Sequence, residues 1–76
     1  MTRLEAIYNT LCYEVLKGQS AWEMVQDGYD GDFKAYFEDY KDDFEVEETE
    51  SGYLLTNIIS GSKYEAKDGF IFEVDV

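Results

Sequence analysis

Residues 42–60, DDFEVEETESGYLLTNIIS, decide the fold, because the spacing of apolar side chains changes there from the period of a helix to that of a strand. In residues 44–47 an apolar side chain alternates with glutamate, which is the pattern of a strand with one buried face. Residues 50–52, Glu-Ser-Gly, predict a hairpin turn. Residues 53–60 are rich in β-branched side chains and almost continuously apolar, so they predict the central strand of a sheet.

The C-terminal part of the chain predicts one further strand. Residues 70–76, FIFEVDV, carry a phenylalanine or valine at every second position, and this period of two closes a small antiparallel sheet. Residues 63–69, KYEAKDG, are bracketed by turn-forming residues, so we expect a short excursion there rather than a strand. The sequence therefore predicts a three-stranded antiparallel sheet.

The first helix has clear boundaries. Thr2 with Glu5 three residues later is the pattern of a capping box, and Gly18 is well placed to end the helix. Between them, apolar side chains recur at the i, i+3, i+4, i+7 spacing of one helical face. These side chains are Leu4, Ile7, Tyr8, Leu11, Cys12, Val15 and Leu16.

A second, shorter helix is predicted over residues 21–26. Ser20 and Glu23 repeat the capping-box pattern at its start. Trp22 and Val25 fall three residues apart, so both are expected to face inward. The following residues, Asp-Gly-Tyr-Asp-Gly, have the composition of a turn.

A third helix is predicted over roughly residues 33–43, with Asp32 as its N-cap. Its aromatic side chains fall on one side and its carboxylates on the other. Because the helices come first and the strands follow, the predicted fold class is α+β, with three short N-terminal helices packed on a small three-stranded antiparallel sheet. We expect residues 1–76 to form a single acidic domain.

The acids are unevenly placed along the chain. The chain holds 18 Asp and Glu against 6 Lys and Arg, with no His, for a formal net charge of −12. Residues 1–22 are neutral in sum, whereas residues 23–50, the acidic segment, carry twelve acids against only Lys34 and Lys41. General acidity would not spare residues 1–22, so the acidic segment predicts a surface for an electropositive partner.

Composition also limits the cellular location and the binding partners of such a protein. A content of 45% hydrophobic and 17% aromatic residues is that of a folded domain rather than a disordered acidic tail. One Cys excludes an internal disulfide, and no apolar run approaches the roughly 18 residues of a membrane span. Net negative charge opposes direct binding to nucleic acid or to an anionic membrane. We expect a cytoplasmic protein, in a bacterial host if a phage encodes it.

Patterns for catalysis or metal binding are missing from the sequence. Without His there is no nucleophile–His pair, and the glycines form no phosphate-binding motif. A calcium loop begun at Asp30 or Asp39 would place Lys34 or Lys41 where a carboxylate must bind. Zinc lacks its nitrogen and sulfur ligands. Any two acids could form a glycosidase pair, but nothing predicts a cleft that raises the pKa of one. We expect no enzyme activity, no cofactor and no metal site.

The predicted partner-binding surface lies within the acidic segment. Alternate carboxylates on a strand stand roughly 6.6 Å apart, and carboxylates four residues apart on a helix stand roughly 6 Å apart. Each strand of B-DNA advances about 3.4 Å per phosphate, so such rows could occupy alternate phosphate positions. Tyr29, which has no helical face to bury it, is added as an aromatic contact. The residues predicted to contact the partner are Tyr29, Asp30, Asp32, Glu38, Asp39, Asp42, Asp43, Glu45, Glu47, Glu48 and Glu50.

In size, acidity and lack of catalytic residues, the chain resembles the small anti-restriction and anti-CRISPR proteins of phages and mobile elements. That resemblance implies a non-enzymatic inhibitor that mimics DNA or RNA and blocks a basic nucleic-acid-handling protein, such as a nuclease complex. Two alternatives stay open. One is a small acidic interaction or regulatory module that docks a cationic partner without mimicry, and the other is an immunity protein for a nuclease toxin.

Overall fold

The computed structural model of the chain describes residues 2–74, in which helices precede a four-stranded antiparallel sheet. The helical elements are α1 (Arg3–Lys17), α2 (Gln19–Glu23), a π-helical turn (Met24–Gly28), α3 (Phe33–Tyr40) and a 3₁₀ turn (Lys41–Asp43). The strands are β1 (Phe44–Glu48), β2 (Gly52–Asn57), β3 (Lys63–Lys67) and β4 (Phe70–Val74), paired in the order β1-β2-β3-β4. The predicted α+β class is confirmed in this arrangement.

The expectation of three strands is wrong, because the excursion at residues 63–69 is strand β3 and the start of a hairpin turn. Tyr64 and Ala66 are buried while their neighbours in β3 are more exposed, so the segment has the alternation of a strand. Asp68 and Gly69 both have positive φ, 52° and 81°. Positive φ at both central residues defines a two-residue hairpin turn whose twist matches that of the strands, and Asp-Gly is a preferred pair for it.

The predicted central strand is shorter than its apolar run. Strand β2 ends at Asn57, whose side-chain Oδ1 accepts the backbone N–H groups of Ile59 at 2.9 Å and Ser60 at 3.2 Å. A side chain that binds the backbone two residues ahead replaces the ladder of a sheet with a turn. Ile58 and Ile59 therefore leave the sheet and are exposed.

Helix α1 begins and ends where its sequence predicts. The Thr2 hydroxyl accepts the Glu5 N–H at 3.2 Å, and the Glu5 carboxylate accepts the Thr2 N–H at 3.0 Å, so the capping box is confirmed. Gly18 caps the other end. The two ends of the apolar stripe, Leu4 and Leu16, are nevertheless exposed. Leu4 lies in the first turn of the helix, and Leu16 lies about 140° around the helix from buried Leu11.

The second helix differs most from its prediction. It begins at Gln19 rather than after a Ser20 cap, and it passes at Met24 into the π-helical turn. Val25, in the π-helical turn, is buried in the core, as predicted. Trp22, in α2, is about half exposed, so the prediction of an inward Trp22 is wrong. The third helix begins as predicted, since Asp32 Oδ1 accepts the Ala35 N–H at 3.2 Å, but its last turn tightens to 3₁₀.

The core lies between α1 and one face of the sheet. The buried hydrophobic residues are Ala6, Ile7, Leu11, Val15, Val25, Tyr36, Phe44, Leu55, Tyr64 and Ala66. Backbones approach closely at the hairpin ends: a Cβ built on Gly52 would lie 1.9 Å from the backbone oxygen of Ala66. Strands β1 and β4 form the two edges of the sheet, so β1, which belongs to the acidic segment, lies at one edge. Within residues 2–74, no helix is both long and apolar enough to cross a membrane.

Candidate partner-binding surface

The ten predicted carboxylates lie on consecutive elements of the chain. They begin in the loop before α3, continue along that helix and the 3₁₀ turn, and end on β1 and the hairpin turn after it. A backbone hydrogen bond from Ile58 N–H to the Asp43 oxygen, 2.9 Å long, ties the 3₁₀ turn to the end of β2. All ten residues are exposed except Asp43, which is half-buried. The chain therefore presents its acids on adjoining elements rather than scattering them.

Strand β1 holds the most regular part of this surface. Glu45 and Glu47 lie two residues apart, so they share the sheet face that carries no helix, while Phe44 and Val46 face the core. Their cross-strand neighbours are Thr56 and Leu54, neither of which carries a charge. Since β1 is an edge strand, no further strand lies beside these glutamates within residues 2–74. Their Cα atoms are therefore held at the spacing of a strand, and their side chains are left open to a partner.

The acids of α3 and its N-terminus already have partners within the protein. Asp32 caps the helix through the Ala35 N–H, and Asp39 Oδ2 accepts the Tyr29 hydroxyl at 2.6 Å. Glu38 forms an ion pair with Lys41 Nζ at 2.9 Å. This carboxylate raises the pKa of the Lys41 ammonium, since it stabilises the charged form. These three acids contribute to the fold as well as to the surface potential.

Tyr29 is not the exposed anchor that its sequence position suggested. Its ring lies edge-on to Tyr36, with centroids 5.6 Å apart, and to Tyr40 at 6.3 Å. Its hydroxyl donates to Asp39, and this hydrogen bond, followed by burial, raises the pKa of Tyr29 far above its ordinary value. The structure thus places Tyr29 in an aromatic cluster, with only part of the ring accessible.

Four glutamates differ from these engaged acids. Among the described residues, Glu45, Glu47, Glu48 and Glu50 accept no side-chain hydrogen bond and form no ion pair with Lys or Arg. They lie on β1 and in the β1–β2 turn, with no base nearer in the sequence than Lys41. Their negative charge is therefore uncompensated by any ion pair within residues 2–74, although Lys63 lies on the same sheet face as Glu45, two strands away. They form the part of the surface best suited to bind a cation.

Sequence reasoning missed a polar network between α1 and the sheet. Glu14 Oε2 accepts the Tyr64 hydroxyl at 2.7 Å and an Asn57 Nδ2 proton at 3.4 Å. Burial, followed by the bond to Glu14, raises the pKa of Tyr64 far above its ordinary value. Beside this network, Lys17 pairs with Glu73 at the rim of a hollow of about 380 Å³. No local sequence pattern predicts this network, because Glu14 and Tyr64 are 50 residues apart in the chain.

The described residues contain no group of three or more acids and cysteines arranged to hold a metal ion. Cys12 is half-buried, and burial raises the pKa of its thiol, which keeps it in the less reactive protonated form. Comparisons of the chain with models of protein families, with curated proteins and with solved structures found no match.

Proposed function

We propose that this chain is a non-enzymatic inhibitor that uses its acidic segment to bind and block the nucleic-acid-binding surface of a basic protein. The observation that carries the proposal is the set of uncompensated glutamates on edge strand β1 and the turn after it. Glu45 and Glu47 have no cation beside them, although other acids of the chain do. A carboxylate left without a partner in the free protein has its charge available for an ammonium or guanidinium group of another molecule.

The rigidity of β1 supports mimicry rather than a merely acidic docking tail. The strand pairs along its whole length with β2, from Phe44 opposite Asn57 to Glu48 opposite Tyr53. Glu45 and Glu47 are therefore held roughly 6.6 Å apart by the strand, about two phosphate steps of a DNA strand. A nucleic-acid-binding groove lined with Arg and Lys would meet glutamates on a backbone that is already ordered, so little backbone entropy is lost on binding.

The proposed interaction is steered by charge. Opposite potentials on two surfaces raise the association rate, and added salt weakens this attraction. The same surface charge repels phosphate, so the chain itself is expected to bind neither duplex nor single-stranded DNA. The proposed source is a phage or mobile element, and the proposed setting is the cytoplasm of its bacterial host, where nucleases of defence systems are the basic proteins to be blocked.

The test uses two pairs of charge reversals with the same total change in charge. Glu45→Lys with Glu47→Lys reverses two uncompensated acids of β1. The control, Glu23→Lys with Asp27→Lys, reverses two exposed acids at the start of the acidic segment, in α2 and the π-helical turn, that are not among the predicted contact residues. The only hydrogen bond of these two side chains within residues 2–74 is an exposed one, from Gln19 to Glu23 at 3.0 Å. Glu5 and Glu14 are unsuitable as controls, because the first closes the capping box and the second accepts the Tyr64 hydroxyl.

Each variant and the parent chain are immobilised and exposed to a nuclease-treated bacterial lysate, and each captured protein is identified and purified. We expect capture of a nucleic-acid-binding protein by the parent and the control pair, loss of capture with the β1 pair, and displacement by duplex DNA. Equal loss with both pairs would show that bulk charge alone matters. Capture that survives excess duplex DNA would contradict mimicry and favour a regulatory module or an immunity protein that binds elsewhere on its partner.

A further inference from the structure

The two edges of the sheet have opposite chemical character. Edge strand β1 carries glutamates on both faces, which discourages another strand from pairing with it. Edge strand β4, FIFEV, is apolar except for Glu73, and Lys17 of α1 pairs with that carboxylate. Phe70 and Phe72 are 67% and 52% exposed on the face without helices. The chain thus protects one edge with charge and leaves the other apolar and neutral.

The hairpin fixes which backbone groups of β4 point to its free side. Lys67 and Phe70 flank the two-residue turn, so their backbone groups bond to each other across the hairpin. Along an antiparallel strand, every second residue directs its backbone N–H and C=O groups to the same neighbouring strand. The backbone groups of Phe72 therefore also bond to β3, opposite Glu65. The N–H and C=O groups of Ile71 and Glu73 point the other way. No strand of residues 2–74 lies on that side.

We propose that a second copy of this chain pairs antiparallel with β4, about a two-fold axis through Phe72, to form a continuous eight-stranded sheet. In that register Ile71 exchanges both of its backbone hydrogen bonds with Glu73 of the partner subunit, and the symmetric pair adds two more. Phe72 faces Phe72 of the partner subunit at a non-hydrogen-bonded position. Such positions bring Cα atoms to about 4.5 Å and side chains into close contact.

The side chains of β4 are complementary to themselves in this register. Phe70 lies opposite Val74 of the partner subunit, so six apolar side chains from the two copies gather on the helix-free face. On the other face Glu73 lies opposite Ile71 of the partner subunit, and its charge is already paired with Lys17. Between residues 70 and 74 of the two copies, no like charges meet directly across the new strand pair.

The placement of the acidic segment makes a second copy acceptable despite the net charge of −12 per chain. Within one subunit, β1 and β4 are three strand spacings apart, roughly 14 Å. In the dimer, seven spacings separate the two β1 strands by roughly 34 Å, several times the Debye length of about 8 Å at physiological salt. Pairing through β1 instead would bring the glutamates of both copies together. Dimerisation through β4 also leaves both acidic surfaces open, so it is independent of the function proposed above.

The first test is the mass of the protein in solution. Sedimentation equilibrium over a dilution series should give twice the 8.8 kDa of one chain at the upper concentrations. Phe72→Lys places two ammonium groups opposite each other and should give a folded monomer with an unchanged circular dichroism spectrum. Glu47→Lys, a matched change on the other edge strand, should leave the dimer intact. A parent chain that is monomeric at every concentration, or a Phe72→Lys variant that stays dimeric, overturns the proposal.

The second test reads the register directly. In a Cys12→Ala background, Phe72→Cys places two thiols at Cα separations that suit a disulfide, so mild oxidation should cross-link the subunits. Phe70→Cys is the matched control, because its opposite residue is Val74 of the partner subunit and its own symmetry mate lies about four residue rises away, roughly 13 Å. Equal cross-linking of both variants, or of neither, would show that any dimer uses a different surface.

Discussion

Two phenols that donate to carboxylates show how single residues link the helices to the rest of the fold. Tyr64 of β3 binds Glu14 of α1, and Tyr29 before α3 binds Asp39 within it. A phenol holds its proton more tightly when that proton is shared with a carboxylate, because ionisation would set two negative charges side by side. Both tyrosine pKa values are raised for this reason, with burial the larger cause for Tyr64.

These raised pKa values predict a loss of stability at alkaline pH. Above a pH of about 10 the tyrosines of the unfolded chain lose their protons, while Tyr64 and Tyr29 in the folded chain keep theirs. The unfolded state then binds fewer protons, so the free energy of unfolding falls as pH rises from that point. Tyr64→Phe should lower stability at neutral pH by about 1–3 kcal/mol and flatten the alkaline decline. Urea unfolding between neutral pH and pH 11 measures both effects. Tyr8→Phe, which removes a hydroxyl with no hydrogen-bond partner among the described residues, should leave the decline unchanged.

Gly52 is required for a steric reason. A Cβ atom at Gly52 would lie too close to the Ala66 carbonyl oxygen, so the backbones of β2 and β3 would have to move apart. Gly52→Ala should therefore destabilise the protein by about 1–3 kcal/mol or more. Gly28→Ala is the control, since a Cβ at Gly28 meets nothing within 4 Å. Equal melting temperatures for both variants would show that the strands adjust without cost.

At the scale of elements, α1 is joined to the sheet by one buried stripe. Leu11 is 1% exposed at its centre, whereas Leu16, on the same predicted stripe, is 82% exposed. Periodicity alone assigns the two leucines the same role. The difference arises because Leu16 lies about 140° around the helix from Leu11, on the side away from the sheet.

This contrast predicts opposite outcomes for two identical substitutions. Leu11→Ala should lower the free energy of unfolding by about 2–5 kcal/mol, because it leaves a cavity in the core. Leu16→Ala should change it by no more than about 0.5 kcal/mol, as for other exposed sites. Chemical denaturation of the two variants compares them directly. A large effect of Leu16→Ala would mean that another surface, such as a second subunit, covers that residue.

At the scale of the whole molecule, uncompensated charge opposes folding. Most of the net charge of −12 lies in the acidic segment, residues 23–50, which carries twelve acids against two lysines. Folding brings the carboxylates of α3 and the 3₁₀ turn closer to one another than they are in an extended chain, because a helix rises less per residue than a strand, and self-repulsion destabilises a compact state. A surface retained at this cost is consistent with the partner-binding role proposed for it.

The isolated protein should therefore become more stable as salt is added. Raising ionic strength from 0.01 M to 0.15 M shortens the Debye length from about 30 Å to about 8 Å and screens the repulsion. Relief of about 1 kcal/mol would raise the melting temperature by about 4–8 °C. Glu45→Gln with Glu47→Gln should reduce that rise more than Glu23→Gln with Asp27→Gln. A melting temperature that falls with salt would show that the ion pairs of Lys17 and Lys41 outweigh the repulsion.

The sequence by itself determined the features that depend on neighbouring residues. The caps at Thr2 and Asp32 and the alternation of β1 are all written in stretches of a few residues. Local signals of this kind act through hydrogen bonds and steric limits within a turn or a strand, so they hold whatever the rest of the chain does. Asp68-Gly69 is a signal of the same kind, and given full weight it predicts the hairpin that makes β3 a strand.

The tertiary structure decided which side chains are covered, because coverage depends on elements far apart in the sequence. Trp22 and Leu16 fit an apolar pattern, yet the described residues leave about half of Trp22 and most of Leu16 uncovered. Tyr29 fits an exposed turn, yet α3 supplies two aromatic rings and a carboxylate to hold it. Glu14 resembles any acid on a helix until β3 places the Tyr64 hydroxyl against it. The sequence locates the negatively charged surface, because carboxylates are exposed in most proteins. It does not give the hydrogen-bond partners of those carboxylates, because residues far apart in the sequence supply them.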